Sequence, residues 1–417
     1  MEGGDAWLLT STVLVLFMTP GLALFYGGMV RSKNVLNMLL MNIYCAGIIP
    51  LLWVTVGASL SGGGSGNGFI GNLDAAGLKG LDGSGLLLTA FLMTFAVITP
   101  ALISGAVADR MKFSAWAIFV PVWSLLVYTP VVFWIYGVDN GDGSLVGWLG
   151  ARGSLDFAGG TAIHVNAGVA ALAMVLVLGK RRGWPREAMP PHNLPLVLLG
   201  TGILWFGWFG FNSGGAAGNT ALTATALMNT FLAASAGMIA WLIVERIRDG
   251  HFTLLGACSG VVAGLVAITP AAAFVGGLAG IAFGAVAGIV CYLAIQQKYR
   301  FGYDDSLDVV GVHMVGGIIG GVLIGFFADT SILGQGDPEA FDSGLFFGGG
   351  TALLVEQVLA IVVVLAFSFI VTALIAKVID ATIGLRVDEN DEQAGLDGTE
   401  HAETGYNLAD LGAMGRG

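Results

Sequence analysis

The chain has 417 residues, of which 56% are hydrophobic and 11% are charged. A soluble domain carries about a quarter charged residues, so this composition excludes an ordinary soluble protein and indicates that lipid surrounds much of the chain. The net charge of −11 gives no basis for binding nucleic acid.

Eleven apolar stretches are long enough to cross a bilayer, which takes about 20 residues of helix. The predicted spans cover residues 7–29, 36–60, 85–108, 114–137, 157–179, 195–213, 219–244, 253–270, 273–297, 308–328 and 347–380. The 66 glycines predict close helix packing, because small residues let membrane helices approach one another. The predicted fold class is therefore an all-α membrane protein with eleven transmembrane helices.

The basic residues predict how these spans are oriented. In an eleven-span topology, fifteen of the seventeen lysines and arginines fall on one face, and Lys79 and Arg152 fall on the other. Cytoplasmic loops of membrane proteins carry an excess of positive charge. We therefore expect a multi-pass protein of the cell membrane, with its N-terminus outside and its C-terminus in the cytoplasm.

The odd number of spans predicts two inverted five-helix repeats followed by one more helix. The stretch Asp156-Phe-Ala-Gly159 opens the fifth span and Asp308-Val-Val-Gly311 opens the tenth, and a histidine follows each of them. The last predicted span has 34 residues. A helix of that length extends about 50 Å, so we expect it to lie tilted across the bundle.

The remaining segments hold few candidates for chemistry. The glycine-rich stretch 61–68 lacks the features of a phosphate-binding loop and is interpreted as a flexible external linker, and 139–154 as a second external loop. Cys45, Cys258 and Cys291 lack metal or redox spacing and are interpreted as small core residues. We find no nucleophile–base pair, cofactor loop or metal-ligand cluster, so the sequence predicts neither an enzyme nor a cofactor.

Two histidines lie inside predicted spans, His164 in the fifth and His313 in the tenth. One interpretation is that each is a packing residue with a locally satisfied hydrogen bond. Ionisable residues in a membrane are costly and commonly functional, however, and these two follow similar openings in the two halves. Neutral imidazoles that face each other can each donate and accept a hydrogen bond. We therefore predict that both line a path for a small solute that sheds a proton.

Three acidic residues have structural interpretations beside functional ones. Asp156 and Asp308 stand where helices begin, and each is predicted to act as an N-cap, which contributes about 1 kcal/mol. At an outer mouth, the Asp156 carboxylate would also favour the entry of a cation. Glu356 lies within the last span and is interpreted as a helix or subunit contact.

Several stretches resemble the signature sequences of ammonium transporters of the Amt/Mep/Rh family. They are Pro20–Asn34, Asp156–Gly168 with its continuation to Gly179–Arg181, Gly207–Asn212, Leu255–Gly260, Asp308–His313 and Gly384–Val387. The resemblance covers essentially the whole chain. It implies eleven helices, an external N-terminus and a homotrimer with one pore in each subunit.

The resemblance also assigns roles to single residues. Phe95 and Phe211 match two stacked phenylalanines that block the outer pore, and His164 and His313 match a pair of pore histidines. Asp156 matches an aspartate beneath the outer vestibule. Three more residues, in or near the matching stretches, are predicted to support the pore or the vestibule: Tyr26, Trp208 and Asn212.

Two positions of the outer recruitment site differ from the family's usual residues. By motif alignment, Tyr136 stands where the family usually has a tryptophan, and Gly215 where it usually has a serine. Tryptophan is the better cation–π partner, and the serine hydroxyl would accept a hydrogen bond from ammonium. We expect weaker capture of external ammonium, unless Ser213 or a water molecule compensates.

The resemblance further divides the chain into a transmembrane ammonium channel or transporter domain, residues 1–384, and a cytoplasmic regulatory tail, residues 385–417. The tail segments Gly395–Asp397 and Tyr406–Asn407 resemble the region that couples subunits, although Ala402 stands where the family often has glycine. In many members this region lies beside the docking surface of PII-type nitrogen regulators. The expected partners are therefore ammonium or ammonia, two further subunits, membrane lipid and such a regulator.

The predicted function is transport of ammonium or ammonia across the cell membrane. The expected mechanism deprotonates ammonium near the outer vestibule, passes ammonia along an apolar pore past the two histidines, and moves net charge. An alternative is an ammonium receptor that signals through its tail. The altered recruitment site keeps this alternative open.

Overall fold

A computed structural model describes residues 3–63, 68–138, 144–333 and 341–406. Within these ranges, eleven helices are long and apolar enough to cross a membrane, which confirms the predicted fold class and the number of spans. We label them α1 to α11 in chain order: Gly3–Met29, Ser32–Gly62, Gly83–Val107, Phe113–Tyr136, Gly160–Leu178, Leu194–Ala216, Thr220–Asp249, Leu254–Ala271, Ala279–Phe301, Val310–Phe327 and Ala352–Thr382.

The helix bounds differ from the predicted spans at two informative places. Helix α5 begins at Gly160 and not at residue 157, because residues 154–159 are not helical and Gly159 has a φ of +106°. Helix α11 begins at Ala352 and not at residue 347, because Leu345–Phe347 form a separate 3₁₀ turn. Helix α11 therefore has 31 residues and extends about 47 Å.

Glycines allow α7, α8 and α9 to pack closely. A Cβ atom added to Gly264 of α8 or to Gly284 of α9 would lie 2.1 Å from the carbonyl oxygen of Ala233 in α7. Neither glycine can be replaced without moving a helix backbone. This is the packing that the high glycine content predicts. The three cysteines, which the sequence predicts to be small core residues, are also buried.

Buried polar side chains tie α11 to the rest of the bundle. Thr372 accepts a hydrogen bond from the indole nitrogen of Trp123 in α4 (2.9 Å). Ser368 donates to Asn166 Oδ1 in α5 (2.7 Å). Together with Gln357 near the start of the helix, these contacts fix α11 along much of its length.

Different segments of the chain pack on the two ends of the helix bundle. Residues 385–406, with the short helices α12 (Glu389–Ala394) and α13 (Leu396–His401), pack on what we call the tail face. There the Asp397 carboxylate accepts hydrogen bonds from the backbone of Leu36 (3.1 Å) and Asn37 (2.9 Å). The opposite side, which we call the loop face, carries residues 68–82 and 144–154.

Parts of three predicted segments lie outside the described residues. They are residues 64–67 and 139–143 of the two predicted external loops, and Asn407 and the rest of the tail after Tyr406. Glu356, predicted as a helix or subunit contact, pairs within the chain. Its carboxylate accepts two hydrogen bonds from Arg152 of the loop face, at 2.8 Å each.

Candidate functional site

A cavity of about 230 Å³ opens near the loop face and has largely aromatic walls. Tyr136 and Gly215, the two predicted recruitment residues, both line it. The hydroxyl of Tyr136 is buried, has no hydrogen-bond partner among the described residues, and interacts electrostatically with the Asp156 carboxylate. A Cβ added to Gly215 would meet no heavy atom within 4 Å, so this position has room for a side chain. We call this space the aromatic cavity.

Phe95 and Phe211 separate the aromatic cavity from a narrower space below it. Their ring centroids lie 4.3 Å apart with an interplanar angle of 40°. Both line the aromatic cavity, whereas Phe211 also lines the narrower space, which we call the constriction. Phe91 supports the pair, since its ring packs edge-on against Phe95 at 4.8 Å.

The constriction has a volume of about 10 Å³, which is close to the space that one water molecule needs. Its walls are apolar apart from the two histidines and the indole of Trp208; the apolar residues are Met18, Leu22, Phe25, Ile98, Leu102, Ile163, Leu204, Phe211 and Val262. Such walls offer no ligands that could replace the water shell of an ion.

The two histidines meet inside the constriction. His164 Nδ1 and His313 Nδ1 lie 3.2 Å apart, and the rings are nearly parallel at 18°. One of these nitrogens must donate and the other accept, so the tautomers of the two rings are coupled. His164 Nε2 is buried and has no hydrogen-bond partner among the described residues. That nitrogen is available to a small polar solute.

Trp208 holds His164 in place from the side. Its ring stacks on the imidazole with centroids 5.5 Å apart and an angle of 18°. The indole nitrogen of Trp208 donates to Thr269 Oγ1 in α8 (2.9 Å), which fixes the plane of the indole. The histidine pair therefore has a rigid aromatic wall.

The Asp156 side chain caps the start of α5, as predicted, although the N-cap residue itself is Gly159. Its Oδ1 accepts hydrogen bonds from the backbone of Gly159 (2.9 Å) and Gly160 (2.7 Å), and its Oδ2 from Thr161 (2.8 Å) and Ala162 (3.0 Å). Burial raises the pKa of Asp156, and the four N–H groups offset part of that effect. The carboxylate thus organises the first turn of α5, which carries His164.

The N-cap prediction for Asp308 is wrong. Asp308 has a φ of +64°, and its carboxylate pairs with Lys298 at 2.6 Å. This carboxylate is therefore not the cap of α10. Asp305 takes that place and accepts a hydrogen bond from the backbone of Val310 (2.7 Å). The spacing in the sequence could have shown this, because Asp156 and Asp305 both stand eight residues before a histidine.

The environment of Asp305 differs from that of Asp156. Burial and the nearby negative charge of Asp308 raise the pKa of Asp305 to about 6. Its Oδ1 is buried without a hydrogen-bond partner among the described residues. Lys298 donates to the backbone oxygen of Asp305 (3.1 Å) and pairs with Asp308 instead of the Asp305 carboxylate.

A buried charge network lies near Asp305 on the tail face. Arg181 forms two hydrogen bonds to the Asp304 carboxylate, at 2.8 and 3.0 Å, and lies 3.4 Å from Asp109. Arg31 pairs with the same Asp109 at 3.1 Å. Burial alone would raise the pKa of Asp304, but the hydrogen bonds and charge of Arg181 hold it below its usual value. This network joins four inter-helix segments.

Two residues predicted to support the pore, and the serine that could compensate at the recruitment site, lie outside both cavities. Tyr26 donates to the backbone oxygen of Leu102 (3.1 Å), next to the constriction. Asn212 donates to Thr230 Oγ1 in α7 (3.0 Å). Ser213 is fully buried and donates to the backbone of Phe209, so its hydroxyl does not replace the serine absent at Gly215.

Four aromatic residues of the aromatic cavity are not among the residues that the sequence predicts for the site: Trp53, Phe91, Tyr128 and Phe157. Helical spacing could have found two of them. Phe91 precedes Phe95 by four residues, and Tyr128 precedes Tyr136 by eight, which places each pair on one helix face. Trp53 lies in a π-helical turn that shifts the face of α2, so its position did not follow from regular spacing.

Comparison with known proteins gives consistent matches. Residues 6–406 match the model of the Ammonium Transporter Family. A protein named ammonium transporter from Mycobacterium tuberculosis is 47% identical over 434 residues, covering 98% of this chain and 91% of that protein.

Solved structures agree. The crystal structure of Candida albicans Mep2 is 32% identical with a TM-score of 0.85, covering 94% of this chain and 87% of that chain. A structure titled "Sensor Amt Protein" is 28% identical with a TM-score of 0.88, covering 96% and 98%. The family consists of transporters and not of enzymes, in agreement with the sequence prediction. This chain belongs to the ammonium transporter family.

Proposed function

We propose that this protein transports ammonium across a membrane by releasing a proton at the aromatic cavity and passing ammonia through the constriction. The observation that carries the proposal is the constriction itself, an apolar passage of about 10 Å³ behind two phenylalanines whose rings are in contact, containing two hydrogen-bonded histidines. The family match supports ammonium as the substrate.

The energetics favour deprotonation before passage. Moving a bare monovalent ion into a medium of low dielectric costs on the order of 20 kcal/mol in an idealised Born treatment. A cation–π contact offsets about 2 kcal/mol of that cost. Burial also lowers the pKa of an amine, so losing a proton is the cheaper route. Potassium has no proton to lose and is excluded.

Each residue of the site then has a role. Tyr136, the space at Gly215 and the aromatic walls receive ammonium, with the Asp156 carboxylate beneath them. Phe95 and Phe211 form the gate. His164 and His313 bind ammonia by hydrogen bonds, and the pair passes the proton that ammonium releases to the tail face, where ammonia or water takes it up, so that transport moves net charge. Trp208 orients the histidines, while Tyr26 and Asn212 support the helices around the pore.

Topology and assembly complete the proposal. The tail face, which carries most of the basic residues, is cytoplasmic, and the N-terminus is outside. Residues 1–384 form the transport domain of a homotrimer in the cell membrane. Residues 385–417 form a regulatory tail, whose surface binds a PII-type nitrogen regulator.

Currents on a solid-supported membrane test the proposal. Proteoliposomes of the wild-type protein should give a transient current after an ammonium jump and none after a potassium jump. His164→Ala should abolish or strongly reduce the ammonium current. Ammonia flux without any current would contradict charge movement, and a potassium current of similar size would contradict deprotonation.

A receptor function is the second candidate. It is favoured by the similarity to the structure titled "Sensor Amt Protein" and by Tyr136 and Gly215 at the recruitment site. A host that lacks ammonium transporters discriminates between the two. Growth on low ammonium after expression of this chain supports transport, whereas no growth with normal membrane expression supports the receptor.

A further inference from the structure

The segment between the loop face and α5, residues 154–159, is not helical. It forms part of the wall of the aromatic cavity through Phe157 and Ala158, and it carries Asp156. Non-helical backbone at the level of a membrane must find partners for its N–H and C=O groups inside the protein. The partners of this segment therefore determine where Asp156 and Phe157 lie.

Gln357 of α11 supplies two of those partners. Its Oε1 accepts a hydrogen bond from the backbone N–H of Leu155 (2.6 Å), and its Nε2 donates to the carbonyl of the same residue (2.8 Å). Nε2 also donates to the carbonyl of Gly321 in α10 (3.1 Å). The side chain is 2% exposed, so these bonds face no competition from water.

The other bonds of the segment come from different elements. Phe157 donates to the carbonyl of Pro270 in α8 (2.9 Å), and the Asp156 carboxylate binds the first turn of α5. Leu155 is thus held by α11, Phe157 by α8 and Asp156 by α5. Gln357 is the buried side chain by which α11, which lines neither the aromatic cavity nor the constriction, holds the backbone of this segment.

We propose that Gln357 is a positioning residue that fixes where Phe157 lies in the wall of the aromatic cavity and where Asp156 lies behind that wall. This inference rests on the proposed transport function. The carboxamide pairs with both the backbone N–H and the backbone C=O of Leu155, which a hydrocarbon side chain cannot do and a shorter amide cannot reach. Gln357 acts through Leu155 and does not touch the substrate.

The neighbouring residue provides a matched control. Glu356 also holds the segment before α5, through Arg152, but this pair is on the surface, with side chains 49% exposed for Arg152 and 21% for Glu356. Exposed ion pairs contribute little to stability. Loss of the Glu356 pair should therefore leave the cavity unchanged, although it is one residue away in sequence.

The first test compares Gln357→Leu with Glu356→Gln in proteoliposomes. Gln357→Leu keeps the side-chain volume and leaves both groups of Leu155 without a partner. We expect it to raise the ammonium concentration for half-maximal current on the order of tenfold, because misplacement of about 1 Å is enough for such effects. Glu356→Gln should match the wild-type protein.

The second test uses Gln357→Glu, which retains the size and shape of the carboxamide and a group able to bond to Leu155. A protonated carboxyl group can accept from Leu155 N–H and donate to its carbonyl, although its single proton leaves the Gly321 carbonyl without the bond that Nε2 supplies. A carboxylate can only accept. We expect near wild-type half-maximal concentrations at acidic pH and a rise as the pH increases. The charged groups beside this position are Asp156, Arg152 and Glu356. They are present in both proteins, so the pH profile of Gln357→Glu is compared with that of the wild-type protein.

The outcomes separate this inference from the proposed function. A wild-type current with unchanged half-maximal concentration in Gln357→Leu, or an unchanged pH profile in Gln357→Glu, overturns the positioning role. An equal loss of maximal current at every pH, without a shift in concentration dependence, shows a merely structural residue and also overturns it. No ammonium current in the wild-type protein contradicts the proposed function itself.

Discussion

The two histidine-bearing segments share a local design but differ in how they treat charge. His164 and His313 both lie in π-helical turns, Gly160–Val165 and Val310–Met314, and each follows a buried aspartate by eight residues. Asp156 accepts four backbone hydrogen bonds. Asp305 accepts a bond from Val310, while its second oxygen has no partner among the described residues.

The difference shows that two turns with the same backbone geometry can place their aspartates in different electrostatic environments. In the segment near the loop face, backbone dipoles balance the carboxylate. In the segment near the tail face, the ion pair of Lys298 and Asp308 stands beside Asp305 and changes its acidity. Similar turns therefore present similar histidines, while the aspartates before them respond differently to mutation and pH.

The largest expected effect comes from removing each aspartate. Asp156→Ala leaves four N–H groups unpaired and should unfold α5 locally, abolish the current and lower stability. Because an unsatisfied buried group costs about 1–3 kcal/mol, we expect Asp156→Ala to be at least about 2 kcal/mol more destabilising than Asp305→Ala. Thermal unfolding in detergent measures both. Equal destabilisation would show that the two carboxylates have the same structural role.

The Lys298–Asp308 pair should have an intermediate effect. Lys298→Met leaves the Asp308 carboxylate partly buried without its partner, so we expect a loss of about 1–3 kcal/mol. The double variant Lys298→Met with Asp308→Asn should recover much of that loss, because no unpaired charge remains. Thermal unfolding of the single and double variants checks this, and a double variant as unstable as the single one would contradict it.

Stability should depend on pH through Asp305. Because the folded protein raises the pKa of Asp305 to about 6, the fold favours the protonated acid. Its stabilising contribution is complete below the unfolded pKa of about 3.9 and is lost as the pH rises through about 6, with a change of about 1 kcal/mol between pH 5 and 7.

The matched variant for this pH dependence is Asp305→Asn, which remains neutral. Relative to this variant, the wild-type protein should lose stability between pH 5 and 7. Asp308 and Lys298 are present in both proteins, so the difference reports the charge on residue 305 together with its interactions with these two groups. Parallel unfolding temperatures of the two proteins across that range would show that Asp305 does not titrate there.

The two segments also differ in how far the sequence could predict them. Hydrophobic length and the distribution of basic residues were enough for eleven spans, because lipid imposes both constraints directly. The histidine pair was accessible for the same reason, since polar residues within apolar stretches are conspicuous. The similarity of the Asp308 motif to the Asp156 motif favours Asp308 as the N-cap of α10, whereas the eight-residue spacing to the histidine points to Asp305 and is the better signal.

Contacts between distant parts of the chain were beyond such reasoning. No pattern in α11 indicates that Gln357 pairs with the backbone N–H and C=O of Leu155. The contact depends on how two segments 202 residues apart pack in space. Likewise, the π-helical turn at Trp53 rotates part of α2 by an amount that regular periodicity does not include. Both features arise from tertiary packing.

The smallest expected effect is on ammonium capture at the recruitment site. This site belongs to the aromatic cavity beside the α5 segment, and the α10 segment does not line that cavity. Gly215→Ser places a hydroxyl where a Cβ meets nothing within 4 Å, so the protein should tolerate it. The same change at Gly214 is a structural contrast, because a Cβ there would lie 2.6 Å from Phe91.

We expect Gly215→Ser, alone and with Tyr136→Trp, to lower the half-maximal ammonium concentration by a few-fold, since the added cation–π and hydrogen-bond terms are about 1 kcal/mol or less. Currents measured over a range of ammonium concentrations would decide this. An unchanged concentration dependence would mean that capture at the loop face is set by Asp156 and the aromatic walls, and that the two unusual residues do not limit it.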